Sequence, residues 1–172
     1  MDKLNNSAVP AHEGRLTFTF HAPWEKFDEK TCDGLKMVDF LVENEDCLYF
    51  IEIKDYEHPK TPVEYKTRNY KMLTDSEAAF PLEMGMKLKD SLLRYYAMSK
   101  GFTTDVKFLL LINSQELKGR ERIKLFDRVA GYVPMGLDSD EYPSFSKISF
   151  EMPPIESVKE MFGFDVAVTC EV

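Results

Sequence analysis

Apolar and polar positions alternate with period two over LTFTF at residues 16–20, the pattern of a strand with one buried face. Pro23 follows, a residue suited to a first helical turn, and predicts a short helix opening there. The stretch KMVDFLVENEDCLYFIEIKDY, residues 36–56, sets two apolar runs around an acidic turn and predicts a hairpin with strands over 36–43 and 47–55. HPKTP at 58–62 breaks regular structure, and 63–80 reads as a polar, poorly periodic connection. A longer helix is expected from Pro81 to Lys100, with Leu82, Met86, Leu93 and Ala97 on one face and Gly101 as its stop signal. VKFLLLI at 106–112 is a near-continuous apolar run, which suits a strand covered on both faces. A charged amphipathic helix is expected from Gln115 to Ala130, then the irregular segment GYVPMGLDSDEYPS, a strand over KISFEM, a short helix from Ile155 to Phe162 and a final strand in FDVAVTCEV. Helices set between strands imply an α/β protein with a central mixed β-sheet and helices on its faces.

A length of 172 residues with 44% hydrophobic content is that of one domain with a real core. Residues 1–14 read as a flexible tail and 15–172 as a single domain. The polar start has no apolar leader and no run of 18 apolar residues occurs, so neither secretion nor a membrane partner is expected. The three cysteines, Cys32, Cys47 and Cys170, lack any metal or disulfide spacing, which fits a reducing, cytoplasmic setting. A net charge of -8 counts against nucleic acid as a partner. Basic residues nevertheless gather at Lys60, Lys66, Arg68 and Lys71, at Lys87, Lys89 and Arg94, and between Lys118 and Arg128. A folded chain can present these as one positive face, although solvated helix surfaces are the plainer account.

The hairpin raises a question of charge. With Glu45 and Asp46 as a two-residue turn, antiparallel partners sum to 91, so Leu41 opposes Phe50 and Asp39 opposes Glu52. Like charges directly opposed are destabilising. Alternation puts Phe50, Glu52 and Lys54 on one face and Ile51 and Ile53 on the other, so the lysine sits one step beyond the acids. A hard divalent cation sharing the two carboxylates would relieve the repulsion. The plainer alternative is that Lys54 pairs with Asp39 or Glu52 on a solvated sheet face.

Val38-Asp39-Phe40, twelve intervening residues and then Glu52-Ile53-Lys54 resemble the PD-(D/E)XK nuclease superfamily, the restriction-endonuclease-like fold. Val38 stands where the motif commonly has proline. The resemblance implies a three-layer core with helices on both faces of the sheet, covering roughly residues 22–112. It also implies Mg²⁺ or Mn²⁺ as cofactor, Asp39 and Glu52 as metal ligands, and Lys54 as the group that positions the attacking water. An acid from the first helix often joins such a site. Glu25, Asp28 and Glu29 are the candidates here, with Glu25 favoured.

On the long helix, Lys87, Ser91 and Arg94 share one face, where Lys87 and Arg94 would meet substrate phosphates. Asp90 beside them makes a surface network an equal contender. His12, His21 and His58 have no metal spacing, and DSDE at 138–141 lacks the glycine of a calcium loop. No GxSxG, Walker A or GxGxxG motif occurs. Two functions from different classes are therefore expected: a metal-dependent nuclease acting on nucleic acid, DNA foremost, or a catalytically silent domain of the same fold serving as a binding module.

Overall fold

The computed structural model describes residues 10–27, 34–75, 78–99, 102, 104–138, 140 and 147–168. A five-stranded mixed sheet in the order β3-β4-β5-β6-β7 forms the centre. Its members are β3 (Trp24–Lys26), β4 (Phe40–Glu43), β5 (Cys47–Asp55), β6 (Asp105–Asn113) and β7 (Ile148–Glu151). β3, β4 and β5 make an antiparallel meander, while β6 and β7 run parallel to β5.

The β4–β5 register follows the expected sum, with Phe40 opposite Ile51, Leu41 opposite Phe50 and Val42 opposite Tyr49. Reciprocal main-chain hydrogen bonds between Asn44 and Cys47, 3.0 and 3.4 Å, close the hairpin around Glu45 and Asp46. The first strand begins at Phe40 and not at Lys36. Asp39 explains the difference: its carboxylate Oδ2 accepts the Ile53 N–H at 2.7 Å, taking a donor that a longer ladder would pair with a main-chain carbonyl.

β5 and β6 pair over nine residues. Their two faces enter different cores, since Phe50, Leu110 and Ile112 belong to one cluster and Ile51, Ile53, Leu109 and Leu111 to the other. The apolar run at 106–112 is continuous for that reason. Helices α1 (Val63–Thr74), α2 (Ala79–Ser99) and α3 (Gly119–Ala130) contribute Leu73, Leu88 and Leu125 to the first core. α2 approaches the turn just after α3 at Gly85, where a Cβ would stand 2.6 Å from that of Tyr132. The second core lies under a three-stranded antiparallel sheet, β1 (Ala11–Glu13), β2 (Leu16–Thr19) and β8 (Asp165–Val168), together with the short α4 (Val158–Phe162). Phe20 joins the layers there, with Trp24, Phe40 and Phe164 rings 5.2 to 5.9 Å from its own.

Four elements depart from the sequence reading. The segment after Pro23 is a strand, because Trp24 fills the aromatic core and Glu25 pairs with Leu41 along β4. β1 lies inside the stretch read as a tail; residues 1–9 are outside the described ones. The polar connection at 63–80 contains helix α1, which buries Leu73; the Leu73 carbonyl in its last turn and the Asp75 carbonyl just beyond it accept from Arg128 of α3. Finally, the second face carries a small sheet as well as a short helix, because the terminal strand pairs with β2 and not with the central sheet. Among the described residues no helix is long and apolar enough to cross a membrane.

Candidate active site

Helix α2 presents Phe80, Met84, Leu88 and Leu92 to the first core, and two polar residues share that buried face. Ser91 Oγ accepts the Val38 N–H at 2.9 Å and donates to the Lys87 carbonyl at 2.7 Å. Lys87 reaches the sheet and meets Glu52, with Nζ 2.9 Å from Oε1 and 3.1 Å from Oε2. Lys54, two residues along β5, places its own Nζ 2.6 Å from Oε1. Glu52 is 0% exposed, so both of its ammonium partners are needed to make its burial tolerable.

Asp39, one residue before β4, adjoins this cluster through its bond to the Ile53 N–H and through the charges of Glu52 and Lys87. Burial, reinforced by the charge of Glu52, raises its pKa from 3.8 to about 7, against the opposing pull of Lys87. For Lys54 and Lys87, burial acts to lower the pKa, but the attraction of Glu52 outweighs it and both ammoniums are held above their ordinary value. Two carboxylates and two ammoniums thus share one partly closed volume. Lys54 is its more open member, with its side chain 25% exposed against 6% for Lys87. Lys54 also feels Glu83 of α2, one helical turn before Lys87. Tyr56, the residue after β5, has its hydroxyl pKa pushed up by burial and by the charges of Glu83 and Glu52.

The other anticipated residues form a second cluster. Glu25 sits on β3, where its carboxylate takes Arg94 Nη2 at 3.0 Å. The Arg94 guanidinium lies 4.4 Å from the Phe27 ring centre and contacts Met37 Sδ. Lys87 and Arg94 therefore share a helix face, as the spacing requires, but that face docks on the sheet and each side chain is engaged with a glutamate there. Asp90 accepts the Lys36 N–H at 2.8 Å. Asp28 and Glu29 lie outside the described residues.

The role of Lys87 as a partner of Glu52 was missed in the sequence, although a signal exists. Lys87 and Ser91 interrupt the stripe Phe80–Met84–Leu88–Leu92, and polar residues inside a buried stripe demand partners. The acid pair suits a hard cation that takes few protein ligands and completes its shell with water and substrate oxygens. Among the described residues there is no group of three or more acid, histidine or cysteine donors around one point. Comparison with family models, curated proteins and solved structures gives no match to this chain.

Proposed function

We propose that the chain is a metal-dependent nuclease of restriction-endonuclease-like fold, with Asp39, Glu52 and Lys54 as its reactive centre. The observation that carries this reading is Asp39, one residue before β4, bonded through its carboxylate to the N–H of Ile53 next to Glu52 and feeling the charge of Glu52, with Lys54 Nζ 2.6 Å from Glu52. The resemblance implies the order helix, hairpin, helix, strand; the hairpin, the helical crossover and the following parallel strand support it, whereas β3 stands where the opening helix is implied. Exposed Lys60, Arg68 and Lys71 lie on and just before α1, in the crossover that follows β5, and offer phosphate contacts despite the net charge of -8.

Asp39 and Glu52 would hold Mg²⁺ or Mn²⁺, which when bound acidifies water and offsets charge developing on a phosphodiester. Lys54, the more open ammonium, is placed to orient that water or to neutralise the phosphate. Lys87 keeps Glu52 fixed from the helix side. Glu25 and Arg94, engaged with each other, brace β3 against α2.

The experiment is cleavage of single- and double-stranded DNA and RNA with and without Mg²⁺ or Mn²⁺. Cleavage should require the ion, and Lys54→Ala should lower it by at least about 100-fold, the scale on which a positioned proton-transfer group acts. Undiminished cleavage in excess chelator, or in Lys54→Ala, would exclude the mechanism. One feature favours the second reading, a silent binding module: Glu52 is fully buried and already neutralised by two lysines. That module would bind nucleic acid with no ion requirement and would cut none of the substrates.

A further inference from the structure

A cavity of about 310 Å³ lies where β6 gives way to α3, at the small end of the range for ligand pockets, about 300–1,000 Å³. Its walls are the loop after β6, the first turn of α3 and the segment that follows β7. Leu117, Pro154 and Ile155 give it apolar surface, and Lys118, Arg122 and Glu156 give it charge. A space of this size with a mixed lining suits a small organic molecule that carries a charged group. None of Asp39, Glu52 and Lys54 lines it.

Arg122 is the fixed point of this cavity. Its Nε donates to the Leu117 carbonyl at 3.3 Å, and its Nη1 donates to the Met152 and Pro153 carbonyls at 3.4 and 3.3 Å. These acceptors come from two walls, so the guanidinium is set in position by main chain alone. They hold it without cancelling its charge. Among the described residues Arg122 makes no ion pair, and both N–H groups of Nη2 have no acceptor. Partial burial presses its pKa down, against the pull of the Glu156 charge. Lys118 stands one helical turn earlier on the same side, exposed and also without an ion pair among the described residues. Bracing the two walls accounts for the three carbonyl bonds, but it gives no reason for a second cation in the same lining.

We propose that this cavity binds a phosphate monoester, with Arg122 and Lys118 taking the phosphate, Pro154 and Ile155 packing against the organic part and Glu156 accepting from its hydroxyl groups. A phosphomonoester carries about −1.5 to −2 charges at pH 7, which matches the two cations. Paired N–H groups on a held guanidinium suit its oxygens. A carboxylate brings about half that charge, and so does a phosphodiester inside a strand. Two sources present the group, a free nucleoside monophosphate and the 5′-phosphate end of a nucleic acid strand. The proposal is independent of the chemistry assigned to Asp39, Glu52 and Lys54, since it uses none of them and needs no metal.

Isothermal titration calorimetry on the full chain, in chelator so that no divalent ion takes part, tests it. The probes are adenosine 5′-monophosphate, adenosine, acetate, and a short single-stranded oligodeoxynucleotide with and without its 5′-phosphate. At least one phosphorylated probe should bind with a dissociation constant on the order of 10 to 100 μM, and its unphosphorylated twin at least about 10-fold more weakly. Preference for the mononucleotide assigns the free ligand and preference for the phosphorylated strand assigns the strand end; either supports the site. Lys118→Glu, a change at an exposed position, should weaken that binding by about 10-fold or more, and so should Arg122→Lys, which keeps the charge and loses the fork. Should Arg122→Lys fail to fold, Lys118→Glu decides alone. No binding of either phosphorylated probe overturns the proposal. Equal binding of phosphorylated and unphosphorylated forms, acetate binding as tightly as the monophosphate, or affinity indifferent to Lys118→Glu overturns it equally.

Discussion

Lys87→Met is expected to destabilise the protein by about 3 kcal/mol, the lower part of the range for breaking a buried ion pair by removing one partner. Methionine matches the length of the lysine stem, so packing under α2 is largely kept and the charge is what is lost. Glu52, 0% exposed, would retain only Lys54. Lys54→Met should cost less, about 1 kcal/mol, because its side chain is 25% exposed and water can replace part of what it gives. Glu52→Gln should be as costly as Lys87→Met, since it strands two ammoniums in place of one carboxylate. The pair Glu52→Gln with Lys87→Met should recover about 1 to 3 kcal/mol of the summed losses. Urea denaturation of the four variants supplies these values. A Lys87→Met protein within about 0.5 kcal/mol of wild type would mean that Glu52 does not depend on the helix for its burial.

The second large effect is on pH. Asp39 has its pKa raised from 3.8 to about 7 in the folded state. A folded carboxyl that holds its proton more tightly than the unfolded one stabilises the fold at low pH, and that contribution is lost as pH rises through about 7. Between about pH 5 and pH 8 the loss from Asp39 alone is about 2 to 3 kcal/mol. Asp39→Asn keeps an oxygen for the Ile53 N–H and carries no charge, so its stability should be flatter across this interval and higher than wild type at pH 8. Mg²⁺ or Mn²⁺ at pH 8 should raise the thermal midpoint of wild type and leave that of Asp39→Asn unmoved, if the two carboxylates hold the ion. Identical pH slopes in the two proteins would show that Asp39 stays ionised when buried, and an equal metal response would place the ion elsewhere.

Much of the hairpin was legible in the sequence because strand periodicity and a two-residue turn leave one register. Asn44 and Cys47 close around Glu45 and Asp46, and every pair up to Phe40 and Ile51 follows. Covered strand β6 was legible for a similar reason, since only double burial explains seven apolar-dominated positions in a row. The helical faces were not. On α2 the stripe through Leu82, Met86 and Leu93 and the stripe through Met84, Leu88 and Leu92 are both apolar, and periodicity cannot rank them. The choice is made by tertiary contacts, where Lys87 and Ser91 answer Glu52 and Val38 from 35 and 53 residues away. β3 was hidden because Pro23 and the charged run after it carry helix-start signals, whereas the strand state is imposed by Trp24 in the aromatic core. Helix α1 was hidden because it buries so little, with Leu73 alone fully enclosed.

The crossover between β5 and β6 also sets an order of events in time. Forty-nine residues, 56–104, separate these partners, so their nine-residue ladder closes a long loop, whereas β4 and β5 meet across a two-residue turn. The meander can therefore gather before α2 is in place, and in that interval Asp39 and Glu52 face each other without the ammonium that α2 delivers. Lys87 is expected to contribute after the rate-limiting barrier has been crossed. In stopped-flow chevrons Lys87→Met should then accelerate unfolding and leave the refolding rate nearly unchanged, whereas Leu41→Ala, inside the meander, should slow refolding. A refolding rate that falls in Lys87→Met by the full equilibrium loss would instead put the docking of α2 at the start of the reaction.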